Sequence, residues 1–276
     1  MKALDLFGFP AGLQTDTGKI VPGEGVDWLV CARKYSKGMF GLLADESYRA
    51  EDEPYYDFYQ SIGRTAERPA FAAENLRYDC TVILPGTAAG EYKKTAGHFH
   101  CAIPGKSYSY PEYYQVIHGK ALFVMQRVTN PQTDGKMVVE DALLAEVNAG
   151  EAIVVPPDYG HCTVNIGDGA MVFANLISRG SENDYAGVRR SAGMCCYIKE
   201  EPARGYRIEQ NPRYAFACTP RTVTAGDSDL LGVRSGVSVY TQFLQEPDKY
   251  RYLDCSEYEI STYLSAFHNS REEIRR

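Results

Sequence analysis

The chain has 276 residues, room for one large domain or two small ones, and its 44% hydrophobic content supports a buried core. A net charge of −7 and an isoelectric point near 5.4 exclude the clustered basic surface that a nucleic-acid binder needs. No run approaches the roughly 18 to 20 apolar residues of a bilayer span, and Asp5, Gly8 and Pro10 interrupt any secretory signal, so a cytoplasmic protein with no membrane partner is expected.

In chain order, residues 1–70 read as an irregular extension, with Gly, Pro and aromatics scattered through it and an acid- and tyrosine-rich stretch over Ser47–Ile62. From Leu76 the texture changes. Tyr78–Leu84, Glu112–Ile117, Ala121–Gln126, Lys136–Glu140, Ala152–Val155 and Met171–Ile177 are short β-prone runs separated by turn residues. Pro85-Gly86, Thr133-Asp134-Gly135 and Gly167-Asp168-Gly169 supply the residues that tight hairpins demand. Such spacing predicts an all-β sandwich or barrel over residues 71–214. After Tyr185 the strand rhythm fades. Tyr240–Leu253 predicts short helical stretches on either side of Pro247, and Ser256–Arg276 a terminal helix ending in a charged, solvated REEIRR. Residues 215–276 therefore form a partly helical C-terminal extension. The eight cysteines contain no CxxC pair and are expected to be reduced, small and buried.

The chemistry concentrates in two blocks. His98-Phe99-His100 alternates, and on a strand residues i and i+2 share a face, so both imidazoles can point inward. Glu112 follows, with Gly119 beyond it; further on come Gly150, Pro156, His161 and Asn165. His118 and His268 stand outside this context and are read as ordinary histidines.

These blocks resemble the paired motifs of the cupins, double-stranded β-helix (jelly-roll) barrels. That resemblance implies His98, His100, Glu112 and His161 as four ligands to one divalent transition metal per chain. Three neutral imidazoles and a carboxylate suit Fe²⁺ first, with Mn²⁺, Ni²⁺, Co²⁺ or Zn²⁺ as alternatives, and leave positions open for substrate oxygens. The gap between His100 and Glu112 is long for the family, and Ile103–Tyr110 is read as an insertion looped over the mouth of the site.

Between Thr81 and Asn165 the chain further resembles the cupin-type phosphoglucose isomerases. The matching strings are Thr81-Val-Ile-Leu-Pro-Gly86, Thr95-Ala-Gly-His-Phe-His100, Glu112-Tyr-Tyr114 and Val155-Pro-Pro157 with His161 and Asn165; weaker matches reach Pro54-Tyr-Tyr56 upstream and Ile208–Pro212 downstream. The resemblance implies glucose 6-phosphate and fructose 6-phosphate as substrates. It assigns Thr81, Thr95 and the Gly97 backbone to the phosphate, Tyr56 and Tyr185 to the substrate, and Glu112 and Tyr114 to the reacting sugar. Neutral donors on an anion are workable in an acidic protein, because oriented N–H and O–H groups bind phosphate without net positive charge. It also implies a homodimer.

The chain departs from the family pattern at Asp158, Ile177 and Asn183, which bears on sugar and phosphate contacts but leaves the ligand set intact. Aldose–ketose isomerisation through an enediol needs a base over C2, and Glu112 is the nearest carboxylate, with Asp158 its one competitor; a hydride shift is the other route. Two rival functions share the motif: an Fe(II)-dependent dioxygenase and a non-catalytic sugar-phosphate-binding protein.

Overall fold

The computed structural model describes residues 1–50, 52–129 and 135–269. Its centre is a pair of facing six-stranded sheets. The first runs in the order Ala152–Val155, Glu112–His118, Met171–Ser178, Leu76–Ile83, Pro54–Gln60, Val30–Tyr35, all antiparallel. The second runs Tyr159–Asn165, Lys120–Thr129, Val138–Asn148, Arg221–Ala225, Phe267–Asn269, with Ala215–Phe216 also pairing to Val138–Asn148. This is the all-β jelly-roll architecture of a cupin.

The strands read as near-continuous apolar runs because most are buried on both faces. Along Lys120–Thr129, Ala121, Phe123 and Met125 point into the space between the sheets, while Leu122 and Val124 point outward into a second apolar cluster with Met194 and Tyr214. Tyr78, Cys80 and Val82 on the outer face of the first sheet meet Phe7, Phe9, Tyr240 and Phe243 from the two ends of the chain. The terminal segments thus cover surfaces that a bare barrel would expose to water, at roughly 25 cal/mol for each Å² of apolar area removed.

Several local expectations are corrected. Residues 1–70 are not irregular throughout: Val30–Tyr35 and Pro54–Gln60 are strands of the first sheet. In Pro54–Gln60 aromatics occupy both faces, which hides the period of two, and its one acid, Asp57, is buried in a two-point ion pair with Arg33 (2.6 Å). The strand expected at Lys136–Glu140 spans Val138–Asn148, and the uninterrupted register with Lys120–Gln126 carries it well past Asp141. Tyr159–Asn165, which holds His161, is a further strand. Thr133 and Asp134 of one expected turn, and the terminal REEIRR, lie outside the described residues.

At the C-terminus the helix over Val239–Gln245 does stop before Pro247 and gives way to a tighter 3₁₀ segment, Pro247–Leu253. Among the described residues the terminal helix spans Ile260–Leu264, and Phe267–Asn269 turns back as a strand on Arg221–Ala225. Four cysteines (80, 162, 195 and 196) are buried as expected; Cys31 and Cys255 are exposed. No helix of the described residues is long and apolar enough to cross a membrane.

Candidate metal centre

His98, His100, Glu112 and His161 come together inside the jelly roll, each offering one ligand atom, all within 4.8 Å of one another. Three segments deliver them. Phe99–His100 is a short strand following the left-handed turn at Gly97, whose φ of +79° favours glycine. A Cβ there would stand 2.7 Å from Met194 Sδ and 3.2 Å from Cys162 Cβ, so close packing also requires glycine. His98 and His161 form a two-way backbone bridge, each N–H donating to the other's carbonyl (3.1 and 2.9 Å). Glu112 opens its strand opposite Val155 in the first sheet.

The side chains are set to bind a cation. His100 Nδ1 donates to the Tyr110 carbonyl (2.8 Å), which leaves Nε2 as a lone pair directed into the cluster. His98 Nε2 and His100 Nε2 lie 3.2 Å apart. Glu112 Oε2 lies 3.1 and 3.2 Å from Nε2 of His100 and His161, yet it is buried without a well-formed hydrogen bond. Lone pairs converging at such distances in a buried site call for a cation between them, and the donor set fits a divalent transition ion. Asn175 Nδ2 donates to the other oxygen, Glu112 Oε1, at 2.7 Å and fixes the carboxylate plane. Tyr114 Oη lies 2.8 Å from His161 Nε2.

Electrostatics keep the ligands in their metal-binding forms. Burial, reinforced by His161 and His100, pushes the His98 pKa well below the usual imidazole value, so it stays neutral. Burial alone would raise the Glu112 carboxyl, but positive charge on the His100 and His161 side of the cluster holds it well below the usual carboxylate range. Burial, with Glu112 beside it, pushes Tyr114 well above its usual value and keeps it a phenol.

The cluster opens into a cavity of about 250 Å³. Thr81, Thr95, Gly97, Tyr56, Tyr114 and Tyr185 all line it, as do Ile177 and Asn183. Thr95 Oγ1 accepts the Thr163 N–H (3.0 Å), and the Tyr185 ring stands 5.6 Å from that of His98. Asp158 is elsewhere: its Oδ1 accepts from Ser109 N at 2.8 Å, its backbone is left-handed, and it does not line the cavity. Nor does any residue of Ile103–Tyr110, so the insertion does not roof the mouth. It folds back through the Ala102–Ser109 bridge, and Tyr108 Oη donates to the Ser256 carbonyl. Its chemical contribution is the Tyr110 carbonyl that orients His100. His118 and His268 are outside the cluster.

Sequence reasoning missed Asn175, Arg77, Asp79 and Lys34, which also line the cavity. Asp79 is a second carboxylate there, buried, bonded to Arg77 Nε (2.8 Å) and the Ser61 N–H (2.9 Å). Burial raises its pKa against the opposing pull of Arg77. The available signal was a lone polar residue in an apolar run, Asn175 in MVFANLIS, sharing its face with Phe173 and Ile177.

Fold and site together define a cupin with a candidate metal centre built from three histidines and one glutamate. The model of the glucose-6-phosphate isomerase (GPI) family matches residues 33–215, and the chain belongs to that family. It is 28% identical over 210 residues to a glucose-6-phosphate isomerase of Thermococcus kodakarensis, covering 74% of this chain and 96% of the relative. It is 29% identical over 140 residues to that of Pyrococcus furiosus, covering 51% and 65%. Among solved structures, a sugar phosphate isomerase of the cupin superfamily from Silicibacter pomeroyi aligns with a TM-score of 0.30 at 12% identity, over 58% of this chain and 79% of that one.

Proposed function

We propose that this chain interconverts glucose 6-phosphate and fructose 6-phosphate using one divalent transition ion, Fe²⁺ foremost, held by His98, His100, Glu112 and His161. The observation that carries this reading is the single cavity onto which Glu112, Tyr114, Thr81, Thr95, Gly97, Tyr56 and Tyr185 all open, in a chain of this family. When bound, the ion supplies a Lewis acid for the sugar carbonyl.

The protein's own groups supply the rest. Because Thr95 Oγ1 already accepts a backbone N–H, its hydroxyl proton remains for a phosphate oxygen, and Thr81 and the Gly97 backbone complete that end of the site. Tyr56 and Tyr185 bracket the sugar. Glu112, held as a carboxylate, takes the proton from C2, beside the carbonyl, and returns it to C1, while the proton on the C2 oxygen passes to the C1 oxygen. Its Oε1 accepts one bond from Asn175 and retains a second lone pair. Tyr114, held as a phenol, donates to the sugar oxygens. On this reading the enzyme works in the cytoplasm as a homodimer; the dimer is supported by the exposed edge strand Val30–Tyr35, which among the described residues pairs on one side only.

The test is a coupled assay for fructose 6-phosphate formed from glucose 6-phosphate after metal stripping and add-back, with sedimentation giving the oligomeric state. Turnover restored by Fe²⁺, Mn²⁺, Ni²⁺ or Co²⁺ is the expected result. Substrate binding without turnover under every metal would instead make this a sugar-phosphate-binding protein, and oxygen uptake would make it a dioxygenase.

A further inference from the structure

A second cavity, of about 430 Å³, lies where helix Arg68–Ala73 packs across the start of strand Leu76–Ile83. Its walls are apolar, set by Ile62, Phe71, Leu76 and the Tyr240 ring. Its charged side chains have one sign. Arg68, Arg77 and Arg179 line it, and no acidic side chain does. Arg77 is committed to Asp79, but Arg179 forms no ion pair among the described residues. Arg68 Nε donates to the Ser61 carbonyl (3.2 Å), while its Nη2 is shut off from solvent and has no acceptor. Tyr78, 2% exposed, likewise carries a buried hydroxyl with no partner.

Guanidinium groups on the wall of an apolar cavity that no acidic side chain lines suit a planar carboxylate. We propose that this cavity binds a small organic carboxylate with an aromatic or branched apolar body, its anionic end on Arg68 and on Arg179 at the rim. A sugar phosphate does not suit it, because the apolar walls would strip water from the sugar hydroxyls without replacing those hydrogen bonds. The volume is in the range of small-molecule pockets. The site is separate from the metal cavity, with Arg77 the one residue lining both.

The test uses the metal-loaded full chain, 3-phenylpropionate as probe and its uncharged amide as control, followed by calorimetry and ligand-observed NMR. The acid should bind with a Kd on the order of 1 mM or tighter, given ordinary efficiency per atom. The amide should bind about tenfold more weakly or worse, since it gives up the charge-assisted bonds. Arg68→Gln should remove a similar factor. Ala72→Trp, at an exposed helix position on the cavity wall, should block binding by bulk without touching the charges. Saturating glucose 6-phosphate should not displace the probe. Equal binding of acid and amide, undiminished binding in both variants with unchanged thermal midpoints, or displacement by the sugar phosphate would each overturn the proposal.

Discussion

Asn175→Leu removes one hydrogen bond from the metal cluster while nearly preserving side-chain volume. Asn175 sits mid-strand in Met171–Ser178, paired in register with Tyr114 on one side and Asp79 on the other, and is 7% exposed. Its Nδ2 donates to Glu112 Oε1 at 2.7 Å. A hydrogen bond to a charged acceptor contributes roughly 1.5–3 kcal/mol, and about 1.4 kcal/mol is a factor of ten in an equilibrium constant. Loss of this donor also frees the carboxylate to rotate about its last torsion, so Oε2 ceases to be aimed at His100 and His161. Metal affinity should therefore fall about 10- to 100-fold, the range usual for groups that orient metal ligands. The assay is competitive metal titration against a chelator of known affinity, with isomerase turnover then measured at saturating metal. Because the amide acts on the cation through Glu112, much of the loss of metal should be recovered by excess ion. Wild-type metal affinity in a folded Asn175→Leu protein would refute the view that this amide sets the carboxylate.

Other outcomes follow from the same geometry. Chelation should abolish turnover, Ca²⁺ should restore it less well than Fe²⁺, Mn²⁺, Ni²⁺ or Co²⁺, and His161→Ala should lower bound metal about tenfold or more by elemental analysis. Thr95→Val should raise KM for the phosphorylated sugar about 10- to 100-fold and leave an unphosphorylated sugar unaffected, which steady-state kinetics on the two substrates would separate. Gly97→Ala forces a left-handed backbone on a Cβ that would meet Met194, and should cost roughly 1–3 kcal/mol in denaturant melts as well as metal affinity. Glu112→Gln at saturating metal should retain a deficit of about 10²- to 10⁴-fold if the carboxylate is the base; a near-normal rate would transfer the chemistry to a hydride shift.

What could be read in advance, and what could not, divides along physical lines. His98 and His100 announce themselves because a period of two is local, and His161 because Gly150 and Pro156 fix its distance from a turn. Asn175 stands out in sequence as a polar residue in an apolar run, but its role does not: its partner lies 63 residues away, across a register that only the folded sheet defines. Asp79 looks like a surface acid, but the half-buried Arg77 beside it makes its inward position tolerable. The strands at 30–35 and 54–60 were hidden for a related reason. Arg33 and Asp57 neutralise each other inside the sheet, so two charges that suggest a loop in isolation stabilise a strand in combination. The insertion at 103–110 was visible as extra length, but length does not say which way a loop folds. Its ties to Asp158 and Ser256 turn it aside from the mouth.

The balance of charge around the cavity favours a dianionic substrate over a neutral sugar. A divalent ion on Glu112 and three neutral imidazoles leaves the loaded cluster with a single positive charge. Arg77 and Asp79 cancel one another across 2.8 Å. Lys34, on the edge strand Val30–Tyr35, forms no ion pair among the described residues and adds a second positive charge at the exposed side of the cavity. A phosphate monoester at neutral pH carries close to two negative charges. The chain is acidic overall, so this attraction is local and is built by strands outside the two metal motifs: Ala32, Lys34, Tyr56 and Phe58 all come from the segment upstream of the barrel's first motif strand. On the proposed function the metal motifs would set the chemistry, while Val30–Tyr35 and Pro54–Gln60 supply a wall of the cavity that would meet the rest of the substrate. Changes at Lys34 should accordingly act on KM and on its salt dependence, and leave metal content untouched.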